Sequence, residues 1–575
     1  MKVIYGLVYQ MDRTMRFLYL FFVSALFILA ILHHFLKKHL KIWSALCLIP
    51  LTFFSVFLIK ESYRGDMELT ICRYAALGIV ALFIAVWGLT VLLKRSFLRC
   101  TVATFTASIL MIFISVITVW AVWNRPNVSN YSHVGWTESF EGAVDTMEQY
   151  YVLNNWKDID YDKIREDYIP KIRDAEKRND EIAYVTALFE FVYEFGDGHV
   201  RVRGNKAKID AAMTKYAGKD YGFSMFRTED GDIVAILVNE ESECFKKGIH
   251  EGTIITKWNG VPVNQASAKV KCIDNNYSFQ TRDNIFLAQP IFLAGLGGDR
   301  LSVGFIDDEG HEKTAILEGR GDYINRRNEA LAILFGDKVI KGDNYSTRMI
   351  DDNIGYLRVY EEAYSTSPMF VASSVVNGFS EKMYKDLDSR LSEMRSKGMD
   401  RIIIDVRNNQ GGNGFESRTI ASLFTSTPLP YNISIYKDGN YKVLLRSKSE
   451  NRAKYNDIPI VVLVNGETCS AGEEIVHYLK GSRGVTVMGN TTTWGNCQGT
   501  GGSAVLSGSK YDICFPINPT VDDSNIPIVD TKANRVCRLK LDYEITYSKE
   551  EIIDFFANPN EDKVLEEAVE YIKRK

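Results

Sequence analysis

Four apolar runs, at about residues 17–36, 42–59, 74–93 and 102–123, crowd the first fifth of the chain. Each comes near the ~20 residues a helix needs to cross a ~30 Å hydrocarbon core. A helix suits this task because it satisfies its own backbone groups where no water can. The pattern predicts four membrane spans within residues 1–124, the second being the shortest and interrupted by Pro50. A signal peptide is the competing reading of the first run. Lys37, Lys38 and Lys41 follow that run, where a small-residue cleavage site would have to stand.

Four spans put both ends of the chain on one side. The short first loop (Lys37, Lys38, Lys41) and the short third loop (Lys94, Arg95, Arg99) are dense in positive charge. That density favours the cytoplasmic face for both loops. The large C-terminal part is then expected outside the cytoplasmic membrane, as the soluble portion of an integral, multi-pass protein. Charge separates the two parts as well. Residues 1–124 carry 12 Lys+Arg and 4 Asp+Glu, whereas the remaining 451 residues carry 56 and 68. A net charge of −4 gives no electrostatic footprint for nucleic acid, so none is expected as a partner. With 46% hydrophobic and 24% charged residues, the chain is not a disordered tail or a collagen.

Six cysteines follow the membrane part: Cys244, Cys272, Cys469, Cys497, Cys514 and Cys537. Their even number permits disulfides without showing them. None forms a CxxC or Cys/His cluster with zinc spacing, so no structural metal is expected.

Residues 124–136 read as a linker. Phe140, Val144, Met147 and Tyr151 then recur at helical spacing, and a second helical pattern covers about 181–195. From about 220 the pattern turns to strands, beginning with Asp232-Ile-Val-Ala-Ile-Leu-Val238, with glycine-bearing turns after them. From about 353, buried strands alternate with helices. The strands are 354–359, 401–406 and 458–464; the helices are 379–398 and about 470–480. This alternation predicts an α/β core.

Three segments carry chemistry. In the first, the strand ending in Val464 turns through Asn-Gly-Glu-Thr-Cys into a helix that begins at Ser470. A hydroxyl there sits beside the free N–H groups and positive end of the helix, donors that could hold a developing oxyanion. The same serine could equally be a plain helix cap. The second segment, Asp405-Val-Arg-Asn-Asn-Gln-Gly-Gly-Asn-Gly414, closes a buried strand with glycines whose backbone can approach a ligand; it could also be an ordinary turn. The third is Gly196-Asp-Gly-His199, whose histidine could be no more than a satisfied core residue.

Taken together, these segments resemble the tail-specific, or C-terminal processing, serine protease family, in the branch that includes the tricorn core. Thr468-Cys469-Ser470-Ala471-Gly472-Glu473 is similar to the family's Thr-x-Ser-Ala-x-Glu element. Asp405-Val-Arg407-Asn-Asn409-Gln-Gly411-Gly412 is similar to its Asp-x-Arg-x-Asn-x-Gly-Gly loop. Gly489-Asn-Thr-Thr492-Thr493-Trp-Gly495 looks like its later Gly-x-x-Thr-x-Gly turn, and Asp197-Gly198-His199 matches the tricorn-like branch. The resemblance covers about residues 137–575. Between the histidine and the core, Ser242 to Val263 looks like a PDZ domain from its short helix to an Asn-Gly turn. Tyr221-Gly222-Phe223-Ser224 stands where a PDZ binding loop would be.

The resemblance implies a multidomain chain. A four-span region (1–124) is followed by a linker and helical part (125–205), a PDZ-like β domain (206–325) and an α/β catalytic core of the ClpP/crotonase-like type (326–575). It implies acyl transfer to water, with Ser470 as nucleophile and His199 as its base. The N–H of Ala471 and one from Gly411 or Gly412 would hold the oxyanion. No metal or organic cofactor is implied, and the substrate is expected to be an extended or C-terminal polypeptide segment. Where one branch of the family has a lysine base, this chain has Asn496, which argues against a Ser-Lys pair. His477 lies ~10 Å of helix rise beyond Ser470, too far for the ~3 Å hydrogen bond a base requires. The third catalytic member stays open among Asp530, Asp542 and Glu544, the last two lying in a segment that resembles the family's Pro-Asp-Ile element without its proline. PDZ modules extend a sheet edge with a peptide and often capture its terminal carboxylate, a role that falls here to Tyr221, Gly222 and Phe223. Two rival readings are a catalytically silent, membrane-tethered peptide-binding protein and a nucleophilic Cys469.

Overall fold

A computed structural model describes residues 128–575, apart from 337–343, 365–373, 375–376, 438–439, 449–451, 523, 525 and 533. The four expected membrane spans lie outside the described residues. Among the described residues, no helix is long and apolar enough to cross a membrane. Residues 127–575 form one compact unit.

The centre of the unit is a six-stranded sheet. Its strand order is Tyr543–Glu544, Val485–Gly489, Ile460–Leu463, Arg401–Asp405, Ile354–Val359 and Tyr345–Asp351, all parallel except the last, antiparallel pair. Ile402, Ile403, Ile404, Val462 and Leu463 are fully buried. That is the mark of parallel strands covered on both faces. The helices Glu381–Ser396 and Ala471–Leu479 pack one face, and Lys563–Lys573 packs the other. The alternation expected from the sequence is present, with element ends displaced by at most two residues.

A second sheet has four strands, in the order Val128–Asn130, Gly499–Val505, Tyr511–Asn518 and Arg201–Gly204. It packs against the helices Trp136–Tyr150, Tyr161–Arg178 and Glu181–Tyr193 through one core that joins Phe140, Leu188 and Phe191 to Ile513 and Phe515. The part at 125–205 therefore shares a sheet and an apolar core with strands of the 326–575 part. The strand after His199 is bonded to Tyr511–Asn518, so the far end of the chain fixes the histidine's loop.

Residues 224–318 build an antiparallel sheet in the order Ser224–Arg227, Ile233–Ile236, Ile254–Trp258, Arg300–Ile306 and Glu312–Glu318. The helix Arg282–Leu293 lies against its first, edge strand. Ile552, Phe555 and Phe556, from the late helix Lys549–Ala557, complete this module's apolar core.

Candidate active site

The strand Ile460–Leu463 leaves the central sheet, turns, and enters the helix Ala471–Leu479 at Ser470. Ser470 has φ 55° and ψ −123°. A residue with a Cβ is held in such a conformation at a cost of roughly 1–3 kcal/mol, and such strain gathers at functional sites. Its side chain makes no capping hydrogen bond, so the hydroxyl is not spent as a helix cap. Ala471 N–H is the first of the helix and has no acceptor within it.

The glycine loop is laced to this turn. Cys469 N–H donates to the Asn409 carbonyl at 2.9 Å, and Thr468 Oγ1 donates to the Val406 carbonyl at 2.9 Å. Asn408 N–H donates to Asn465 Oδ1 at 2.9 Å, and Asn465 Nδ2 returns the bond to Asn408 Oδ1 at 2.5 Å. Gly411 comes closest. With φ +87°, a Cβ there would stand 2.6 Å from Ser470 Cβ and 2.8 Å from the Ala471 nitrogen. Only glycine lets the loop approach the serine this nearly. Gly411 N–H is already committed to Asn409 Oδ1 at 2.7 Å. The bridge from Glu362 uses the Gly411 carbonyl and the Asn413 N–H. Gly412 N–H has no acceptor among the described residues, so of the two glycines Gly412, with Ala471, has the free donor.

Asp405 and Arg407 serve as scaffold. Buried Asp405 accepts from Arg407 Nη2 (2.7 Å), Tyr356 Oη (2.7 Å) and Arg358. Despite burial, the Arg407 and Arg358 guanidiniums hold its carboxyl well below the usual carboxylate range. Arg407 also grips Asp562, the cap of the last helix, through two 2.7 Å bonds.

His199 reaches the site through Asp197. Asp197 Oδ1 accepts the His199 N–H at 2.8 Å and Asn496 Nδ2 at 2.5 Å, and its Oδ2 accepts Tyr151 Oη at 2.7 Å. The Asn496 carbonyl in turn accepts the Ser470 N–H at 3.3 Å. Asn496 is held from behind by Glu473, which accepts the N–H groups of Gly495 (2.6 Å) and Asn496 (2.9 Å). One asparagine thus joins the histidine loop to the serine turn. In the sequence it stands only where a lysine is absent, and no local pattern links it to Asp197, 299 residues away. Trp494 was missed as well; its ring meets the His199 imidazole edge-on at 5.9 Å.

The imidazole is 8% exposed, and among the described residues its Nδ1 has no hydrogen-bond partner. The nearest carboxylate oxygen, Asp197 Oδ1, is 3.9 Å from it, an ion-pair distance rather than a hydrogen bond. Burial pushes His199 down to about 4; Asp197 opposes this, and the neighbouring Arg201 charge adds to it. At neutral pH the ring is uncharged and able to take a proton.

The candidates for a third member separate. Asp530 is fully buried, paired with Lys157 at 2.6 Å, and its N–H donates to the Gly495 carbonyl beside Asn496. Asp542 instead pairs with Lys480 at 2.5 Å and accepts the Val487 N–H at 3.0 Å. Glu544 is exposed on the edge strand beside Gly489. Among the described residues, no hydrogen bond or ion pair joins Asp542 or Glu544 to His199 or Ser470. Both work at the sheet edge, and Asp197, absent from the expected set, is the carboxylate nearest the imidazole. His477 sits in the last turn of the helix that Ser470 starts. Cys469 is 2% exposed, and burial pushes its thiol far up. A buried thiol shifted that way favours its unreactive neutral form, which weighs against the cysteine-nucleophile reading.

In the sheet module, Gly222 N–H donates to Asp220 Oδ1 at 2.8 Å, and the Gly222 carbonyl accepts Asn239 N–H at 2.8 Å. Phe223 lies in the core, and Tyr221 Oη donates to the Gly298 carbonyl. The polar groups of Gly222 are therefore engaged internally.

Residues 371–513 match the family model of peptidase family S41. The carboxy-terminal processing protease CtpA of Bacillus subtilis is 28% identical over 203 residues, 34% of this chain and 41% of CtpA. A carboxyl-terminal-processing protease of Synechocystis is 33% identical over 114 residues, 20% of this chain and 26% of that protein. The chain thus spans less than half the length of these relatives. Among solved structures, mature CPAF aligns with 77% of this chain and 98% of its own at 14% identity, with a TM-score of 0.47. The photosystem II D1 C-terminal processing protease aligns with 75% and 99% at 14% identity and a TM-score of 0.32. These overlays are loose. The stretch that matches the peptidase family S41 model carries both the glycine loop and the serine turn.

Proposed function

We propose that the chain is a membrane-anchored serine endopeptidase that cuts polypeptides toward their C-terminal ends. Ser470 Oγ attacks the scissile carbonyl while His199 takes its proton. The N–H groups of Ala471 and Gly412 hold the oxyanion, the acyl group passes to Ser470, and water releases it. Asp197 and Asn496 hold the histidine loop against the serine turn. The observation that carries this reading is Ser470 itself: a strained, uncapping serine at a helix start, with an N–H free on each side. The family match at 371–513 and the names of the processing-protease relatives support the reaction class. The sheet module at 206–325 is read as a PDZ-like tail-capturing domain. Its edge strand Ser224–Arg227 would receive the peptide, with Tyr221, Gly222 and Phe223 at the strand's entry. The four spans would anchor the enzyme in the cytoplasmic membrane, with the described part outside.

The test is digestion of an unfolded polypeptide by the full-length protein in detergent, with mass spectrometry of the products. Wild type should release C-terminal fragments and Ser470→Ala should release none; equal release by both would reject the reading. One observation favours the silent, peptide-binding alternative: among the described residues, no acceptor holds His199 Nδ1. In that case wild type and Ser470→Ala would bind the polypeptide equally, and neither would cut it.

A further inference from the structure

Arg201 is the first residue of the strand Arg201–Gly204, two positions after His199. Its Nε donates to the Gly198 carbonyl, and its guanidinium lies over the Trp494 ring at 4.5 Å. The Trp494 ring meets His199 edge-on, and the backbone N–H of Trp494 donates to the carbonyl of Thr468, two residues before Ser470, at 3.0 Å. The guanidinium therefore stands between the histidine loop and the serine turn. Gly198, whose carbonyl takes the Arg201 Nε, itself packs closely: a Cβ on it would come 2.8 Å from Trp494 and 2.5 Å from Ser278 Oγ. Among the described residues, no carboxylate oxygen lies within ion-pair distance of Arg201, and Nε is its one bonded nitrogen.

The nearby acids are already occupied. Asp197 takes its three donors, and Glu467 Oε2 accepts Gln410 Nε2 at 2.8 Å. Arg201 also lines a cavity of about 60 Å³ together with Gly196, Asp197, Gly198, Asp274 and Ser278. That is room for several waters, or for a carboxylate in their place. The other acid on that wall, Asp274, is neutralised by Arg327 at 2.5 Å. Burial lowers the affinity of Arg201 for its proton, with its neighbours on the serine turn opposing this, yet an arginine stays charged. A partly buried guanidinium that is stacked, held at one nitrogen and left with a free fork is preorganised for a planar anion.

We propose that Arg201 is a specificity-determining residue that anchors a carboxylate of the bound polypeptide beside the reacting serine. The carboxylate comes either from the chain's own C-terminus or from an aspartate or glutamate side chain close to the cut. The proposal rests on the reading of Ser470 and His199 as the reacting pair.

The test uses full-length protein in detergent and four fluorogenic peptides of one sequence. One has a free C-terminal carboxylate and one has that terminus amidated. The other two are amidated and carry either Glu or Gln beside the cut. With wild type, one carboxylate peptide should exceed its neutral counterpart in kcat/KM by about 10- to 100-fold, the worth of a charge-assisted bond. Which pair shows the gap identifies the source. Arg201→Met should shrink the gap to about threefold by slowing the charged peptide more than its neutral counterpart, and Arg201→Lys should keep part of it. A gap that survives Arg201→Met overturns the proposal. So does an equal loss on all four peptides, which would make Arg201 a strut for the Gly198 loop.

If wild type cuts none of the four, the reading of the reaction has failed, and the anchor is tested by binding alone. Fluorescence anisotropy should then give a carboxylate preference that Arg201→Met removes; no such preference, or one that persists, overturns the proposal. A melting curve for each variant guards against simple unfolding, and Arg201→Lys carries the test if Arg201→Met does not fold.

Discussion

At the scale of single residues, the account turns on Ser470 and His199. Truncating His199 to Ala should lower kcat by roughly 10²–10⁴-fold, the usual worth of a positioned base, with little change in KM. The pH profile gives a sharper test. A base held down at about 4 loses activity only when it is protonated. The acid limb of kcat/KM should therefore fall tenfold per pH unit below about 4, with no break near the ordinary histidine value of 6.5; a midpoint near 6.5 would show that burial does not act on this ring. Replacing Asn496 with Leu keeps its size but cuts the tie between the Asp197 loop and the Ser470 turn. It should cost on the order of 100-fold in kcat, since an ångström of misplacement does that much. The serine and the glycines could be read from the sequence because strand, turn and helix follow one another in one short segment. Asn496 could not, because its value lies in a bond to Asp197, which only the fold brings near.

At the scale of elements, the glycine loop rests on buried acids. Glu362 is fully buried, with one oxygen on Asn409 Nδ2 at 2.8 Å and the other unpartnered. Burial pushes it up to about 8, and it does the same to Glu474, whose carboxylate lies against Gly414. Both have folded-state values above the ordinary 4.5. The folded state therefore holds more protons than the unfolded state between those values. The stability they contribute is complete below about 4.5 and is lost as pH rises through about 8. Thermal midpoints should decline between about pH 4.5 and 8, and Glu362→Gln with Glu474→Gln should flatten that decline, worth roughly a few kcal/mol together. His199 has the opposite sign. Its lowered value gives stability that is present above 6.5 and lost as pH falls toward 4. The parallel strands could be read from their runs of Ile and Val. The carboxyls' burial could not, because Glu362 and Glu474 come from segments far apart in the chain.

At the scale of the whole described unit, the chain ends knit the site together. The strand following His199 pairs with Tyr511–Asn518, and the helix Lys549–Ala557 supplies Ile552, Phe555 and Phe556 to the core of the sheet module. Phe556→Ala should destabilise the protein by roughly 3–5 kcal/mol, as buried aromatic truncations do, and urea melts would measure it. Limited proteolysis should then open the 224–318 module first. The sequence suggested successive blocks because hydrophobic periodicity reports local elements. Return strands and a late helix that docks on an earlier module leave no periodic signal.

The most direct test of the central claim is labelling of the full-length protein with a fluorophosphonate probe, followed by peptide mapping of the adduct. Wild type, Ser470→Ala and His199→Ala would be compared in parallel. The account predicts a single adduct on Ser470 that is absent from Ser470→Ala and strongly reduced in His199→Ala. Folded wild type that takes no label, or label on Ser470 that is indifferent to His199, would contradict it.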